Sequence, residues 1–133
     1  MDTEITDEFQ QVLDLLSVAT PPVVFVTGSA GTGKSTLIDV LRYELDKNLV
    51  VVAPPGVAAL NVQGQTIHSL FQLPPGPQPR AKRIAGAAKD VVEKMEVLVI
   101  DEVSMVRADL LDAIDDSLRL NTGRAGAPFG GKT

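Results

Sequence analysis

Gly28-Ser29-Ala30-Gly31-Thr32-Gly33-Lys34-Ser35-Thr36 decides how the rest of the sequence is read. It fits G-x-x-x-x-G-K-[ST], the spacing of a phosphate-binding P-loop. The run before it, Val23-Val24-Phe25-Val26-Thr27, is apolar and β-branched, which predicts a buried strand. After it, Leu37, Ile38, Leu41 and Leu45 recur at helical spacing. Strand, glycine loop and helix is the context the motif requires. A triphosphate is dense in negative charge, and the residue types answer to that. Gly28, Gly31 and Gly33 let the backbone turn tightly, so that N–H groups from Gly28 through Thr36 point at the phosphates. The start of the following helix adds its positive dipole end. Lys34 can reach the β- and γ-phosphates, and the Ser35 hydroxyl can ligate Mg²⁺. The plain alternative is a glycine-rich turn that binds nothing; the full spacing between the right elements weighs against it.

The 133 residues suit one domain, and 44% hydrophobic content allows a core. No apolar run reaches the roughly 18 residues of a membrane span. Met1-Asp2-Thr3-Glu4 is acidic and has no apolar h-region, so no secretory signal is expected. Cysteine is absent, which excludes a disulfide scaffold and thiolate-ligated zinc. An intracellular protein, cytoplasmic or nuclear, is the expectation. Net charge is −5, mildly against a nucleic-acid binder. Residues 80 to 94 nevertheless gather Arg80, Lys82, Arg83, Lys89 and Lys94, either a solvated helix face or a site for a polyanion.

Taken in order, residues 4 to about 18 predict an amphipathic helix with Phe9, Val12, Leu13 and Leu16 on one face. The P-loop helix runs to about Asp46. Leu49-Val50-Val51-Val52-Ala53 reads as a second buried strand, ended by Pro54-Pro55-Gly56. Short helices are expected at 57–62 and 66–71, the latter with Thr66 near its start. Leu73 to Pro79 holds four prolines and reads as a loop. A helix is predicted from about Ala81 to Lys94, a strand at Val97-Leu98-Val99-Ile100, a helix from about 107 to 120 and a loop to Thr133. Strands alternating with helices predict an α/β fold with a parallel sheet flanked by helices.

Ligands of such sheets bind beyond the carboxyl ends of the strands. Asp101-Glu102 follows the Val97–Ile100 strand and so can share one site with the P-loop. Asp101 would hold the Mg²⁺ shell, and Glu102 would orient and deprotonate an attacking water. The alternative is a pair of acids stabilised by a helix dipole. A water-activating glutamate favours hydrolysis over phosphate transfer to a bound acceptor.

Read together, these motifs resemble the RecD-like, Pif-type DNA helicases of superfamily 1B. Five stretches carry the resemblance: Thr27 to Ser35; Ala53-Pro54-Pro55-Gly56-Val57-Ala58-Ala59-Leu60-Asn61 with Gly64-Gln65-Thr66-Ile67-His68-Ser69-Leu70-Phe71; Leu98-Val99-Ile100-Asp101-Glu102-Val103-Ser104-Met105-Val106; Ala108 to Asp115; and Pro128-Phe129-Gly130-Gly131-Lys132. The resemblance implies that residues 1–133 are part of a RecA-like P-loop ATPase domain. It implies ATP and Mg²⁺ as cofactors, with Lys34, Asp101 and Glu102 catalytic. It also implies 5′-to-3′ movement on single-stranded DNA, in repair, recombination, telomere maintenance or conjugation. Pro55, Gly56, Thr66, His68, Ser69 and Phe71 would lie near the DNA. Hydroxyls at Thr66 and Ser69 suit phosphates, and Phe71 could stack on a base, although an aromatic at this spacing is first of all a core residue.

Two positions depart from the family pattern. Proline stands at 55 where the family usually has threonine. Phe9 stands where the family tends to carry an adenine-reading glutamine, with Gln10 beside it. The family continues with a further strand, placed between the P-loop strand and the Asp101 strand, and then a second motor domain bearing arginine fingers. Neither is found before Thr133, so the expectation is a fragment that does not translocate alone. Two other classes stay open on the residues themselves: a stand-alone P-loop ATPase or kinase without a DNA role, and a non-catalytic nucleotide-binding module.

Overall fold

The computed structural model describes residues 7–18, 23–26, 34–54 and 65–133. Helix α1 spans Asp7–Val18 and α2 spans Lys34–Glu44. Strand β1 (Leu49–Ala53) is followed by a two-residue strand β2 (Gln65–Thr66), which runs straight into helix α3 (Ile67–Phe71). Helix α4 (Ala87–Lys94) leads to β3 (Val97–Ile100), and helix α5 (Ala108–Thr122) closes the main series. Short 3₁₀ turns occupy Val103–Met105 and Pro128–Gly131.

The described strands form one parallel sheet in the order β2-β1-β3. Val52 pairs with both Gln65 and Ile100, which fixes the register of all three. Alternation along the strands sends side chains to opposite faces. On one face Leu49, Val97 and Val99 meet Leu13 and Leu16 of α1 and Leu37, Val40 and Leu41 of α2. On the other, Val50, Val52, Leu98 and Ile100 meet Ile67, Leu70 and Phe71 of α3, Val92 of α4 and Ile114 and Leu118 of α5. Helices on both faces of a parallel sheet are the layering expected from the alternating elements.

Three expectations need correction. The helix read from Ala81 begins only at Ala87. Gly86 sits at φ 73, outside helical space, and the backbone of 82–85 is taken up by other partners: Gln72 binds Ala85, and Asn121 binds Lys82 and Ile84. The loop read from Asn121 is shorter, because α5 runs on to Thr122 and ends at Gly123 in the left-handed region. The run at 23–26 is not a buried strand. Val23 is 62% and Phe25 70% exposed, and only Val24 packs on the α1–α2 core. An apolar run becomes a strand only where a neighbour takes up its backbone groups, and among the described residues none does. Among the described residues, the edge of β3 that faces away from β1 pairs with Thr133 alone, through Thr133 N to Glu96 O (3.1 Å) and Leu98 N to Thr133 O (2.8 Å). Among the described residues the sheet is therefore open beside β3, where the resemblance puts a further strand.

Candidate nucleotide and nucleic-acid site

Because the strands are parallel, their carboxyl ends share one rim, where ligands of such sheets bind. Ala53 ends β1, Thr66 ends β2, and Asp101 follows β3. Ala53 pairs with Thr66 on one side, and Asp101 N donates to Val52 O on the other (2.8 Å). Thr66 and Asp101 are thus level and two strand spacings apart, roughly 10 Å.

Asp101 is half-buried and Glu102 exposed. Glu102 N donates to Asp101 Oδ1 at 2.9 Å. The backbone of Glu102 lies at φ 55, ψ 45, a region that L residues other than Asn, Asp and Gly seldom occupy. It turns the chain sharply out of the sheet into the 3₁₀ turn, where Met105 N donates to Glu102 O (3.0 Å). Strained backbone held at a strand end is a feature of functional sites. Here it presents the second carboxylate to solvent just beyond the first.

The residues fit a Mg²⁺–phosphate group. Among the described residues no cluster of three or more His, Asp or Glu could cage a metal. One or two carboxylates at a strand end suit an ion that keeps water and phosphate oxygens in its shell. The glycine loop, Gly28 to Gly33, lies outside the described residues. Lys34, Ser35 and Thr36 open α2, so the helical half of the motif is in place.

The second half of the rim is the β2–α3 junction. Thr66 caps α3, its hydroxyl accepting from Ser69 N at 3.0 Å. Among the described residues no acceptor takes the hydroxyl proton of Thr66, and Ser69 is exposed. His68 is half-buried, and its Nδ1 is buried with no hydrogen-bond partner among the described residues. Phe71 requires correction as a base-stacking residue: it is 0% exposed and belongs to the α3–α5 core. Pro55 and Gly56 lie outside the described residues. Phe9 packs against the α1–α2 core, whereas the Gln10 amide is exposed and donates to Asp14 (2.8 Å).

Two groups of tertiary contacts escaped the sequence reading. Arg107 and Asp109 tie the start of α5 to the loop at 76–78. Asp115 accepts from Phe129 N (2.6 Å) and from Arg119 Nε (3.0 Å), pinning the 128–131 turn to α5. Burial alone would raise the Asp115 carboxyl, but the Arg119 hydrogen bond, the Phe129 amide and the Arg119 charge outweigh it and hold it below the ordinary range. Asp115 and Arg119 have the i,i+4 spacing of a helix pair, but the partners that tie these residues to other segments lie 14 to 31 residues away, where no local pattern announces them. A cavity of about 340 Å³ near Glu93, Arg124 and Lys132 lies toward the amino end of β3, so it is not part of this site. No helix among the described residues is long and apolar enough to cross a membrane.

Comparison with known proteins matches the family model described as PIF1-like helicase over residues 1–133. The ATP-dependent DNA helicase PIF1 of Emericella nidulans is 41% identical over 123 residues, covering 81% of this chain and 16% of that protein. Two solved structures of Bacteroides Pif1 superpose closely. One is a complex with ADP-AlF4 (TM-score 0.85, 42% identity, 98% of this chain and 31% of that one). The other is a complex with ADP-AlF3 and single-stranded DNA (TM-score 0.84, 41% identity, 99% and 31%). The chain therefore spans about a sixth of the length of the first relative and about a third of the solved chains.

Proposed function

The chain belongs to the PIF1-like helicase family, and from that premise we propose that it is the nucleotide-binding part of an ATP-dependent DNA helicase. In this reading residues 1–133 are part of the first RecA-like motor domain, and a second motor domain elsewhere in the helicase completes the machine. Intracellular action on nucleic acid, in cytoplasm or nucleus, goes with it.

The observation that carries the reading is the shared rim. The carboxyl end of the parallel sheet brings the Asp101-Glu102 pair level with the Thr66–Ser69 cap, and Lys34-Ser35-Thr36 open α2, which packs on one face of the same sheet. Residues 28–36 cradle the triphosphate of ATP, with Lys34 on the outer phosphates. Ser35 and Asp101 hold Mg²⁺, which supplies charge neutralisation between the phosphates and the carboxylates. Glu102, exposed beyond Asp101, orients water for in-line attack and takes its proton. Thr66, Ser69 and the Pro55-Gly56 segment meet the phosphates of single-stranded DNA, and His68 lies beside them. The roughly 10 Å between Thr66 and Asp101, bridged by the end of β1, lets DNA and nucleotide act on one piece of backbone.

The test is ATP hydrolysis by the protein, in its longest natural form, with and without a single-stranded oligonucleotide. Hydrolysis should rise on adding DNA. Glu102→Gln should keep nucleotide binding and lower the rate at least about a hundredfold, the scale of a lost general base. Undiminished hydrolysis by Glu102→Gln would overturn the assignment, and indifference to DNA would favour a P-loop ATPase without a DNA role.

A further inference from the structure

Residues 72–86 join α3 to α4 as a strap without helix or strand. Neutral groups close its base. The Gln72 amide donates to Ala85 O (2.8 Å) and accepts from Ala85 N (3.1 Å). Asn121 of α5 accepts from Ile84 N (2.8 Å) and donates to Lys82 O (3.1 Å).

The tip is held by charge instead. Arg107 Nη2 donates to Gly76 O (3.3 Å), Asp109 Oδ2 accepts from Gln78 N (2.7 Å), and the two side chains pair at 3.2 Å. Both residues start α5. A short path leads to them from Glu102: Met105 N donates to Glu102 O and Val106 N to Val103 O in the 3₁₀ turn, the extended pair Val106-Arg107 follows, and Leu110 N donates to Arg107 O. Only four residues separate the second acidic residue from Arg107, and three of them form the 3₁₀ turn.

The arrangement is not ordinary helix capping. An aspartate in a first helical turn commonly serves its own helix end. Asp109 gives Oδ1 to Leu110 N (2.9 Å) and turns Oδ2 outward to another segment. The Gln78 amide is the strongest influence holding its carboxyl below the ordinary range, ahead of the Arg107 charge. Nor is stability a sufficient purpose, because an ion pair with side chains 62% and 25% exposed adds little. Gln78 stands at φ 50 in this contact, so two of the four non-glycine residues at positive φ, Glu102 and Gln78, lie at either end of the link. Pro74, Pro75, Pro77 and Pro79 stiffen the tip, so a shift there is passed along to exposed Arg80, ahead of the Asn121 anchor at Lys82.

We propose that Arg107 and Asp109 are positioning residues that couple nucleotide occupancy at Asp101-Glu102 to the position of the strap tip at 76–80. The proposal rests on the nucleotide reading of that acidic pair. Hydrogen exchange of the protein tests it, measured with and without Mg²⁺ and the non-hydrolysable analogue AMP-PNP. In the wild type, nucleotide should slow exchange at least about threefold both at 101–106 and at 76–80. In Arg107→Ala and Asp109→Ala, protection at 101–106 should remain and protection at 76–80 should be lost. Asp109→Asn keeps an acceptor for the Gln78 amide and should restore part of it, which a general loosening of the fold would not do. Unchanged exchange across α4 and α5 identifies a folded variant, and Arg107→Gln replaces the alanine variant if that one is not. Wild-type protection confined to 101–106, or strap protection that survives both alanine variants, would overturn the proposal. Absence of protection at 101–106 in the wild type would instead remove the nucleotide reading, and the coupling with it.

Discussion

Phe71 offers a sharp choice between packing and recognition. Its ring is 0% exposed and lies among Ile67, Leu70, Val92, Met95 and Ile114. Truncation to alanine at such a site costs about 3–5 kcal/mol, a large part of the total stability of a domain. Phe71→Leu is the better probe. It keeps most of the apolar volume and should cost about 1–1.5 kcal/mol. For a chain of this size that lowers Tm by roughly 3–7 °C. A base-stacking aromatic behaves in the opposite way. Its loss removes about 1–3 kcal/mol per base, or about 5- to 150-fold in Kd. The assay pairs urea denaturation with fluorescence anisotropy on a short oligothymidylate at fixed salt. The packing account predicts a lower midpoint and a DNA affinity changed by less than about threefold. A Kd raised more than about fivefold at an unchanged midpoint would refute it.

Two further predictions concern the end of the chain and its acids. Gly130 sits at φ 62, and a Cβ there would meet the Thr122 hydroxyl and come within 2.5 Å of Leu118 O. Backbone conformation and overpacking together should make Gly130→Ala about 2–5 kcal/mol less stable by urea denaturation; Gly126→Ala, where a Cβ meets nothing, is the control, and equal midpoints for the two would count against the packing described. The Asp115 carboxyl is held below its ordinary value of 3.8, so its contribution is complete above that pH and is lost as pH falls through the lower folded value. Denaturation midpoints followed from about pH 6 to about pH 2.5 should fall less steeply in Asp115→Asn than in the wild type, and parallel curves would contradict the assignment.

Much of the layering was legible because it rests on local patterns. The β-branched runs at 49–53 and 97–100 form parallel strands, and the Thr66 cap starts α3 where the spacing placed it. The Asp101-Glu102 pair was legible for the same reason: an apolar run ended by acids marks a strand end. What stayed hidden depends on distant partners. Arg83 and Lys82 look like residues of the α4 helix until Asn121 and Gln72 take up the neighbouring backbone groups. Val23 to Val26 look like a core strand, but strand character needs a paired edge. The Arg107–Asp109 clamp joins segments 31 residues apart, and nothing in either segment alone announces it. Helical spacing put Phe71 on an apolar face, and the family resemblance drew it toward DNA; burial decides for the former.

The central claim is that the carboxyl rim of this sheet, with the helix opened by Lys34, binds Mg²⁺-ATP. Thermal unfolding of the protein with and without Mg²⁺-ATP tests it most directly. At about a hundredfold over its dissociation constant, a ligand bound only by the folded state adds roughly 2.7 kcal/mol. For a chain of this size the unfolding transition should then rise by about 10 °C. Lys34→Ala should unfold at the wild-type temperature without ligand and show no rise with it. A cooperative wild-type transition that Mg²⁺-ATP leaves in place, or an equal rise in Lys34→Ala, would contradict the claim.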